Sequence, residues 1–283
     1  MINNTARASE NNFDVIRFLT GLELIYPQIE ILSKTRSLLQ SLDVNVPTAN
    51  HKSLQQLMDL LSLSDKISDS LFKDLFRAMN RHPDMAWNDI LSRGQLLSKI
   101  WLIEELKKTG IDLGCVFVCA GWVGMLPALM LRDPNLKFSK IRSFDIDPAC
   151  ANAADTLNKQ HVFNGLKFKA STCDILDIDY TSFLYTTVKS NGIQDMLEDI
   201  PNTIINTSCD HIERFDRWWS LVPNDRLIVL QNNDAKGLDS DHVNTVADIE
   251  EFKSQCPMQK ILFQGSLQLP KFNRYMLIGY KSV

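Results

Sequence analysis

The fold is decided by the stretch Cys115-Val-Phe-Val-Cys-Ala-Gly-Trp-Val-Gly124, an apolar run that ends in a glycine turn. The run Cys115–Cys119 predicts a buried strand, because a parallel strand that is covered on both faces carries apolar residues continuously. A helical pattern follows over residues 125–131. Glycine between a strand and a helix lets the backbone approach a ligand closely, and the helix N-terminus favours a negative group. The turn holds G-x-x-G and lacks the full dinucleotide fingerprint G-x-G-x-x-G, so alone it is equally compatible with a tight turn that binds nothing.

Short apolar runs and helical patterns alternate from this turn to the C-terminus. Further strands are predicted over residues 141–146, 166–170, 203–206, 226–231, 261–263 and 275–280, with helices over 149–158 and 212–221. Such alternation is typical of βαβ units and of a parallel, Rossmann-like α/β sheet. The last two strands are separated by a short polar stretch with Pro270, so we expect them to form an antiparallel hairpin at one edge.

The N-terminal part of the chain has a different pattern. Apolar residues recur at helical spacing over residues 13–42, 54–61, 71–79 and 92–108, with Pro27 breaking the first helix and a loop over residues 43–50. No strand-like alternation occurs before residue 111. We therefore predict a helical domain over residues 1–110, able to act as a lid, and an α/β domain over residues 111–283.

Composition and charge exclude several classes of protein. With 45% hydrophobic and 23% charged residues, the chain has enough apolar content to fold, and it lacks a run of about 18 apolar residues that could cross a bilayer. Its polar N-terminus has no apolar segment typical of a secretory signal, so we expect a cytoplasmic protein. The net charge of −4 argues against an extended nucleic-acid surface and favours a small-molecule substrate. We expect the six cysteines to be reduced and mostly buried, with no metal site.

Acidic residues follow the second and third predicted strands of the α/β half. Asp145 lies about 20 residues after Gly124, the spacing at which an acid binds both hydroxyls of a ribose. Asp174, followed by Ile175, ends the third strand, where a carboxylate can accept a hydrogen bond from the amine of an adenine. Each acid can equally cap a helix, Asp147 in particular. Because ligands of open α/β sheets bind outside the carboxyl ends of the strands, these acids predict a nucleoside site at that edge.

Over residues 111–283 the sequence resembles the class I S-adenosylmethionine-dependent methyltransferases. The resemblance rests on the turn CAGWVG, the strand end FDIDP, the acid in CDILD and the terminal pair of strands. It implies S-adenosyl-L-methionine as the cofactor, with Ala120, Gly121 and Gly124 passing under its methionine part. It also implies that Asp145 holds the ribose and that Asp174 holds the adenine amine.

The glycine turn departs from the pattern of that family. Cys119 stands where the family commonly has glycine, and the pair Trp122-Val123 adds bulk to the turn. The helical N-terminal half, together with FDIDPACANAA and CDILDI, is also similar to the nicotianamine-synthase-like enzymes. Those enzymes use the same cofactor and transfer its aminobutanoyl group.

The loop after the fourth strand is the most polar in the chain. Asn206 and Ser208 can fix an amine or a carboxylate by hydrogen bonds, and His211 can accept a proton near neutral pH. The alternative is that Ser208 or Asp210 only caps the following helix. In the helical half, Arg93 can meet the carboxylate of the cofactor, or it can simply solvate a helix end.

Three functions are compatible with these residues. The first is methyl transfer to a small polar acceptor, with Asn206, Ser208 and His211 as catalytic residues that orient or deprotonate it. The second is attack on the γ-carbon of the aminobutanoate arm, which releases methylthioadenosine; an external amine gives aminobutanoyl transfer, and the cofactor's own amine gives azetidine-2-carboxylate. The third is a non-catalytic module that binds the cofactor.

Overall fold

The computed structural model describes residues 15–28, 30, 32–33, 36–37, 70–188, 192–237 and 240–281. The chain divides into two compact units, residues 1–97 and 98–283. Among the described residues, no helix is both long and apolar enough to span a membrane.

The described residues of the N-terminal unit are mainly helical, as the apolar spacing predicts. The helices of this unit whose bounds are described are α1 (Val15–Ile25), α2 (Ser70–Arg81), α3 (Trp87–Ile90) and the first turn of α4 (Arg93–Thr109). Helix α1 ends two residues before Pro27, because proline cannot continue a helix. The predicted loop over residues 43–50 and the predicted helix over 54–61 lie outside the described residues.

The division between the two units falls inside α4, and the sequence analysis put it at residue 110. The physical reason lies in the second half of the helix. Leu102, Ile103 and Leu106 are buried in the same apolar core as Val116 and Val118 of the sheet. These turns of α4 therefore belong to the α/β unit.

The α/β unit is built on a seven-stranded sheet. Its strands are β1 (Cys115–Cys119), β2 (Lys140–Asp145), β3 (Phe168–Thr172), β6 (Thr203–Asn206), β7 (Leu227–Asn233), β8 (Lys260–Gln268) and β9 (Asn273–Tyr280). They lie in the order β3-β2-β1-β6-β7-β9-β8. Strand β9 is antiparallel to both of its neighbours, and the other pairings are parallel. This is the Rossmann-like sheet of the class I methyltransferase type, with the predicted hairpin at one edge.

Helices connect most of the parallel strands. They are α5 (Met125–Met130), α6 (Pro148–Leu157), α7 (Lys159–Phe163), α8 (Phe215–Leu221) and α9 (Ile249–Gln255). The helix predicted over residues 212–221 begins only at Phe215. The preceding residues Cys209–His211 form a 3-10 turn instead, and Ile212 is extended, so the polar loop ends before the helix starts.

Two apolar cores cover the two faces of the sheet. Successive side chains of a strand point to opposite faces, so Phe117 joins one core and its neighbours Val116 and Val118 join the other. All five residues of β1 are buried for this reason. The continuous apolar run that predicted the strand is thus explained by burial on both sides.

A two-stranded hairpin, β4 (Phe183–Val188) and β5 (Gln194–Asp199), lies between β3 and β6 in the chain, and the sequence analysis missed it. It is anchored at the buried carboxylate of Asp199, which accepts hydrogen bonds from Arg142 Nε at 2.5 Å and from the Tyr185 hydroxyl at 2.8 Å. Lys140 pairs with the same carboxylate. Exposed and less exposed residues alternate along β5, but four of its six residues are polar, so the strand has no continuous apolar run that would reveal it.

Candidate active site

Most of the polar residues singled out in the sequence lie in loops at the carboxyl edge of the sheet. Cys119 pairs in register with Asn206, and Asp145 pairs with Thr172. Because β1, β2, β3, β6 and β7 are parallel, the loops that follow them all leave from this edge. The antiparallel strand β9 starts here, with Arg274 opposite Asn233.

The glycine turn after β1 follows a strained path. Ala120 has a φ of 47°, Trp122 a φ of 50° and Gly124 a φ of 71°. Positive φ is uncommon outside glycine, and such strained residues cluster at ligand sites. The turn therefore has the backbone signature of a binding loop, although only one of these three residues is a glycine.

Both glycines of the turn are required by close packing. A Cβ on Gly121 would overlap the hydroxyl of Ser143 on β2. A Cβ on Gly124 would lie 2.9 Å from Ala154 Cβ, which is on α6. It would also lie 2.9 Å from the Nδ2 atom of Asn158, the residue that follows α6. The two glycines thus bring the turn against β2 and α6, and this packing fixes its position.

Asp145 ties the glycine turn to the end of β2. Its Oδ2 accepts a hydrogen bond from the backbone N–H of Trp122 at 2.8 Å, and its Oδ1 accepts one from that of Asp147 at 3.1 Å. Burial raises the pKa of this carboxyl, and the two backbone hydrogen bonds oppose that rise. A carboxylate has about four lone-pair positions, so these bonds leave capacity for ribose hydroxyls.

The neighbouring acid, Asp147, caps α6. Its side chain accepts a hydrogen bond from Ala149 N at 2.8 Å, with Pro148 in the first turn. The capping interpretation of this residue is therefore correct.

Asp174 and Ile175 lie in a turn after β3. Asp174 Oδ1 accepts a hydrogen bond from Leu176 N at 2.9 Å. The Ile175 carbonyl accepts one from the hydroxyl of the buried Tyr180, at 2.9 Å, and that hydroxyl in turn accepts one from Trp218 Nε1 at 2.8 Å. The turn that carries Asp174 and Ile175 is therefore held in place by the hydrogen bonds that link Trp218, Tyr180 and the Ile175 carbonyl.

Asn206 and Ser208 bring the polar loop after β6 to the glycine turn. Asn206 Oδ1 accepts from Ser208 N at 3.0 Å, and the Ser208 hydroxyl lies 3.5 Å from the Ala120 carbonyl oxygen. The side chain of Asn206 is fully buried, and its Nδ2 finds no acceptor among the described residues. A buried donor without an acceptor is costly, so this amide is available to a ligand.

The third predicted catalytic residue, His211, lies in a separate cluster around Asp210. Asp210 Oδ2 accepts hydrogen bonds from His242 Nδ1 at 2.6 Å and from Asn233 Nδ2 at 2.7 Å. His211 Nε2 is 3.3 Å from the same oxygen, and Arg274 Nη1 is 3.7 Å from Oδ1. Burial raises the pKa of Asp210, but the hydrogen bond from His242 and the charges of Arg274 and His211 outweigh it, so the pKa is lowered overall.

Two buried basic residues at this edge were not selected from the sequence. Arg274 stands at the start of β9, and Lys99 stands on α4 beside Ser98, whose carbonyl accepts from Gln231 Nε2 at 3.1 Å. Burial and the charge of Arg274 lower the pKa of Lys99 to about 7. No local spacing marks Arg274, because only the antiparallel register of β9 brings it to Asp210. The predicted Arg93 is the first residue of α4, and its side chain lies outside the described part of the structure.

The cysteines are buried thiols, as predicted. Five of them are buried, Cys173 is partly exposed, and all six are free. Burial raises the pKa of Cys119 to about 12 and raises that of Cys209 well above its usual range. Neither thiol is therefore activated as a nucleophile.

The sequence matches no known protein-family model and no curated protein. Three solved structures illustrate what the fold is similar to. The N-methyltransferase NodS from Bradyrhizobium japonicum WM9 is 10% identical, with 66% of this chain and 96% of that chain aligned and a TM-score of 0.45. The magnesium protoporphyrin IX methyltransferase from Synechocystis PCC 6803, with bound S-adenosylmethionine, is 14% identical over 77% and 86% of the two chains, with a TM-score of 0.42.

A mutant of the nicotianamine synthase MtNAS is also similar. It is 12% identical, with 82% of this chain and 76% of that chain aligned and a TM-score of 0.45. The Rossmann-like, class I assignment of the α/β unit rests on its strand order and on the single antiparallel strand.

Proposed function

We propose that this chain is an S-adenosylmethionine-dependent transferase that moves a methyl group to a small polar acceptor. One observation carries the proposal: the strained glycine turn is held on one side by Asp145, through the Trp122 N–H, and is approached on the other by Ser208, at the Ala120 carbonyl. A predicted nucleoside-binding acid and a predicted acceptor-binding loop therefore flank the same few residues.

The residues of the turn fit the proposed cofactor. Positive φ at Ala120 and Trp122 supports a loop shaped for a ligand, and the buried Asn206 Nδ2 is a donor that a ligand can satisfy. Asp145 would hold the ribose, and Asp174 with Ile175 would hold the adenine. S-adenosylmethionine, when bound, supplies a sulfonium whose attached carbons are already activated toward nucleophiles. The protein's own contribution is then to orient the acceptor, through Asn206 and Ser208.

The first test is binding of S-adenosylmethionine to Asp145→Ala, measured by titration calorimetry. We expect affinity to fall about 10- to 100-fold, since a hydrogen bond to a charged group contributes about 1.5–3 kcal/mol. Because burial raises the pKa of Asp145, wild-type affinity should also fall as the pH is lowered through a value above the ordinary Asp pKa. The matched control is Asp147→Ala, which removes an acid two residues away that caps α6 and should leave affinity unchanged. Equal losses in the two variants would contradict the ribose assignment.

Product analysis by mass spectrometry tests the reaction itself. Purified protein is incubated with S-adenosylmethionine alone and then with a panel of small amines and hydroxy compounds. S-adenosylhomocysteine supports methyl transfer. Methylthioadenosine instead supports attack on the aminobutanoate arm, by an external amine if it needs an acceptor and by cyclisation if it does not. Binding without any product supports a non-catalytic module.

A further inference from the structure

The buried carboxylate of Asp210 is faced by two histidines that come from different loops. His211 is its neighbour in the 3-10 turn after β6, and His242 lies in the loop after β7. We propose that Asp210, His211 and His242 form a binding site for one divalent transition-metal ion, such as zinc or cobalt. This inference goes beyond the proposed function and does not depend on it, because the site needs neither S-adenosylmethionine nor an acceptor.

The three side chains bring their donor atoms together. One donor atom from each residue lies within 4.8 Å of the other two. His211 Nε2 is 3.3 Å from Asp210 Oδ2, a separation that suits two ligand atoms each about 2.0–2.2 Å from a tetrahedral ion. His242 Nδ1 is closer to the same oxygen, at 2.6 Å, so this contact has to widen when an ion enters.

The orientation of His211 turns a lone pair toward this carboxylate. Its Nδ1 lies 2.9 Å from the backbone carbonyl oxygen of Asp241, and a carbonyl only accepts hydrogen bonds, so Nδ1 carries the ring proton. In the neutral ring, Nε2 then presents its lone pair to Asp210 Oδ2. Two acceptors at this distance repel each other unless a cation lies between them or the ring is protonated. A backbone carbonyl that accepts from the second ring nitrogen is also the usual support of a metal-binding histidine.

The carboxylate of Asp210 has the surroundings of a metal ligand. Its side chain is 1% exposed, and its Oδ2 accepts a hydrogen bond from Asn233 Nδ2 at 2.7 Å. Ligating carboxylates are commonly held by such hydrogen bonds. Its Oδ1 makes no hydrogen bond among the described residues, and Arg274 Nη1 lies 3.7 Å from it. A buried carboxylate that lacks donors is costly, so a bound cation would stabilise it.

Hydrogen bonds hold the two loops of the site together. The backbone N–H of Asn244 donates to the Asp210 carbonyl at 2.8 Å, and Asn244 Nδ2 donates to the Cys209 carbonyl at 3.0 Å. The side chain of His211 is 44% exposed and that of His242 is 17% exposed. The ligands are therefore positioned by the fold, and solvent offers the ion a path to them.

The donor set and the local charge select the type of ion. Magnesium and calcium prefer oxygen ligands, whereas imidazole suits zinc and other first-row transition ions. The positive charge of Arg274 beside Asp210 opposes a further cation, so we expect the nitrogen ligands to be necessary for binding. The cysteines, at which the sequence analysis expected no metal site, supply no ligand to this set.

A ligand role differs from the proton-accepting role that the sequence analysis predicts for His211. An ion at Nε2 occupies the lone pair that a base needs. If no ion binds, a protonated His211 pairs with Asp210 instead. Metal uptake separates the two arrangements.

The first test is titration of the full chain with cobalt(II), after dialysis against a chelator, followed by visible absorption and calorimetry. We expect one equivalent to bind, with the d–d bands of nitrogen and oxygen ligation and without sulfur-to-cobalt charge transfer. His211→Asn and His242→Asn should each weaken binding more than about 10-fold. The histidine variants carry the test because Asp210 also pairs with the buried Arg274. Absence of stoichiometric uptake, or unchanged affinity in either variant, would overturn the proposal.

Asp241→Asn and His161→Asn are the matched controls. Asp241 is exposed and precedes His242, so its replacement removes a nearby negative charge without removing a ligand. His161 lies on α7 and is not part of the donor set. Both variants should bind cobalt(II) as the wild type does. A loss in Asp241→Asn equal to that in His242→Asn would mean that charge alone attracts the ion, and would contradict the assigned ligands.

The second test is X-ray absorption spectroscopy of the full chain loaded with one equivalent of zinc. We expect nitrogen and oxygen ligands at about 2.0–2.2 Å, with the outer-shell scattering of two imidazole rings. A zinc–sulfur distance of about 2.3 Å would place the ion at the cysteines and would overturn the proposal. Neither test uses S-adenosylmethionine, so failure of the metal site and failure of the proposed function are separate results.

Discussion

The two halves of the carboxyl edge are built in different ways. At β1–β3, the acids bond to nearby backbone: Asp145 holds the turn that precedes it, and Asp147 and Asp174 hold residues two positions ahead. At β6, β7 and β9, the bonds join side chains from distant parts of the chain, with Asp210 linked to His242 and Arg274. The first half joins acids to the backbone of their own turn or of the turn after the neighbouring strand, whereas the second joins side chains that are brought together by the register of β9 with β7. We therefore expect substitutions in the two halves to lower the free energy of unfolding by different amounts.

The largest effect is expected for Asp210→Ala. It leaves Arg274 buried without its carboxylate, and breaking a buried ion pair from one side costs about 3–5 kcal/mol. Urea unfolding measures the loss, with the exposed Asp216→Ala on α8 as a control expected within about 0.5 kcal/mol of the wild type. A loss as small as that of the control would show that the cluster does not stabilise the fold.

The same carboxylate predicts a pH dependence of stability. The pKa of Asp210 is lowered in the folded state, so its contribution is fully present above the ordinary Asp pKa. It is lost as the pH falls through the lowered value. The difference in stability between wild type and Asp210→Ala should accordingly be constant near neutrality and shrink in acid.

An intermediate effect is expected for Gly121→Ala in the local half. The new Cβ overlaps the Ser143 hydroxyl, and overpacking of this kind costs about 1–3 kcal/mol. The matched double variant Gly121→Ala with Ser143→Ala removes the overlapping oxygen and should recover much of the loss in a double-mutant cycle. Strictly additive losses would mean that Ser143 is not the reason for glycine at this position.

The smallest effect is expected for Asp147→Ala. Loss of an N-cap costs about 1 kcal/mol, and here it removes the hydrogen bond from Ala149 N and a weak one from Cys150 Sγ at 3.8 Å. Thermal unfolding should show this small decrease. A loss comparable to that of Asp210→Ala would erase the distinction between the local and the distant half.

The same distinction explains what could be predicted from the sequence. The strand Cys115–Cys119 and the glycine turn were predicted because burial on both faces and tight turns leave local patterns. The antiparallel strand β9 was also predicted, but the place of Arg274 beside Asp210 was not, because it depends on the register between β7 and β9. The hairpin anchored by Asp199 was missed since its half-exposed strands have no continuous apolar run.

The predicted catalytic residues show the same limit at the level of single residues. Asn206 and Ser208 were selected because they follow a strand directly, and they do lie beside the glycine turn. Helix α8 and strand β7 separate His211 from His242 in the chain, and sequence alone could not decide which of the two faces Asp210 with Nδ1. The catalytic role of His211 stays a prediction, and its place beside Asp210 and His242 depends on contacts between distant parts of the chain.

The distribution of the thiols has a practical consequence. Cys173 is the only cysteine of the six that is not buried, and it precedes Asp174 directly. Burial, with the charges of Asp177 and Asp174, raises the pKa of this thiol, so it reacts slowly at neutral pH and faster in mild alkali. A maleimide fluorophore can thus be attached at one position of the wild-type chain. Its emission would then serve as an optical reporter of occupancy at the predicted adenine end of the site.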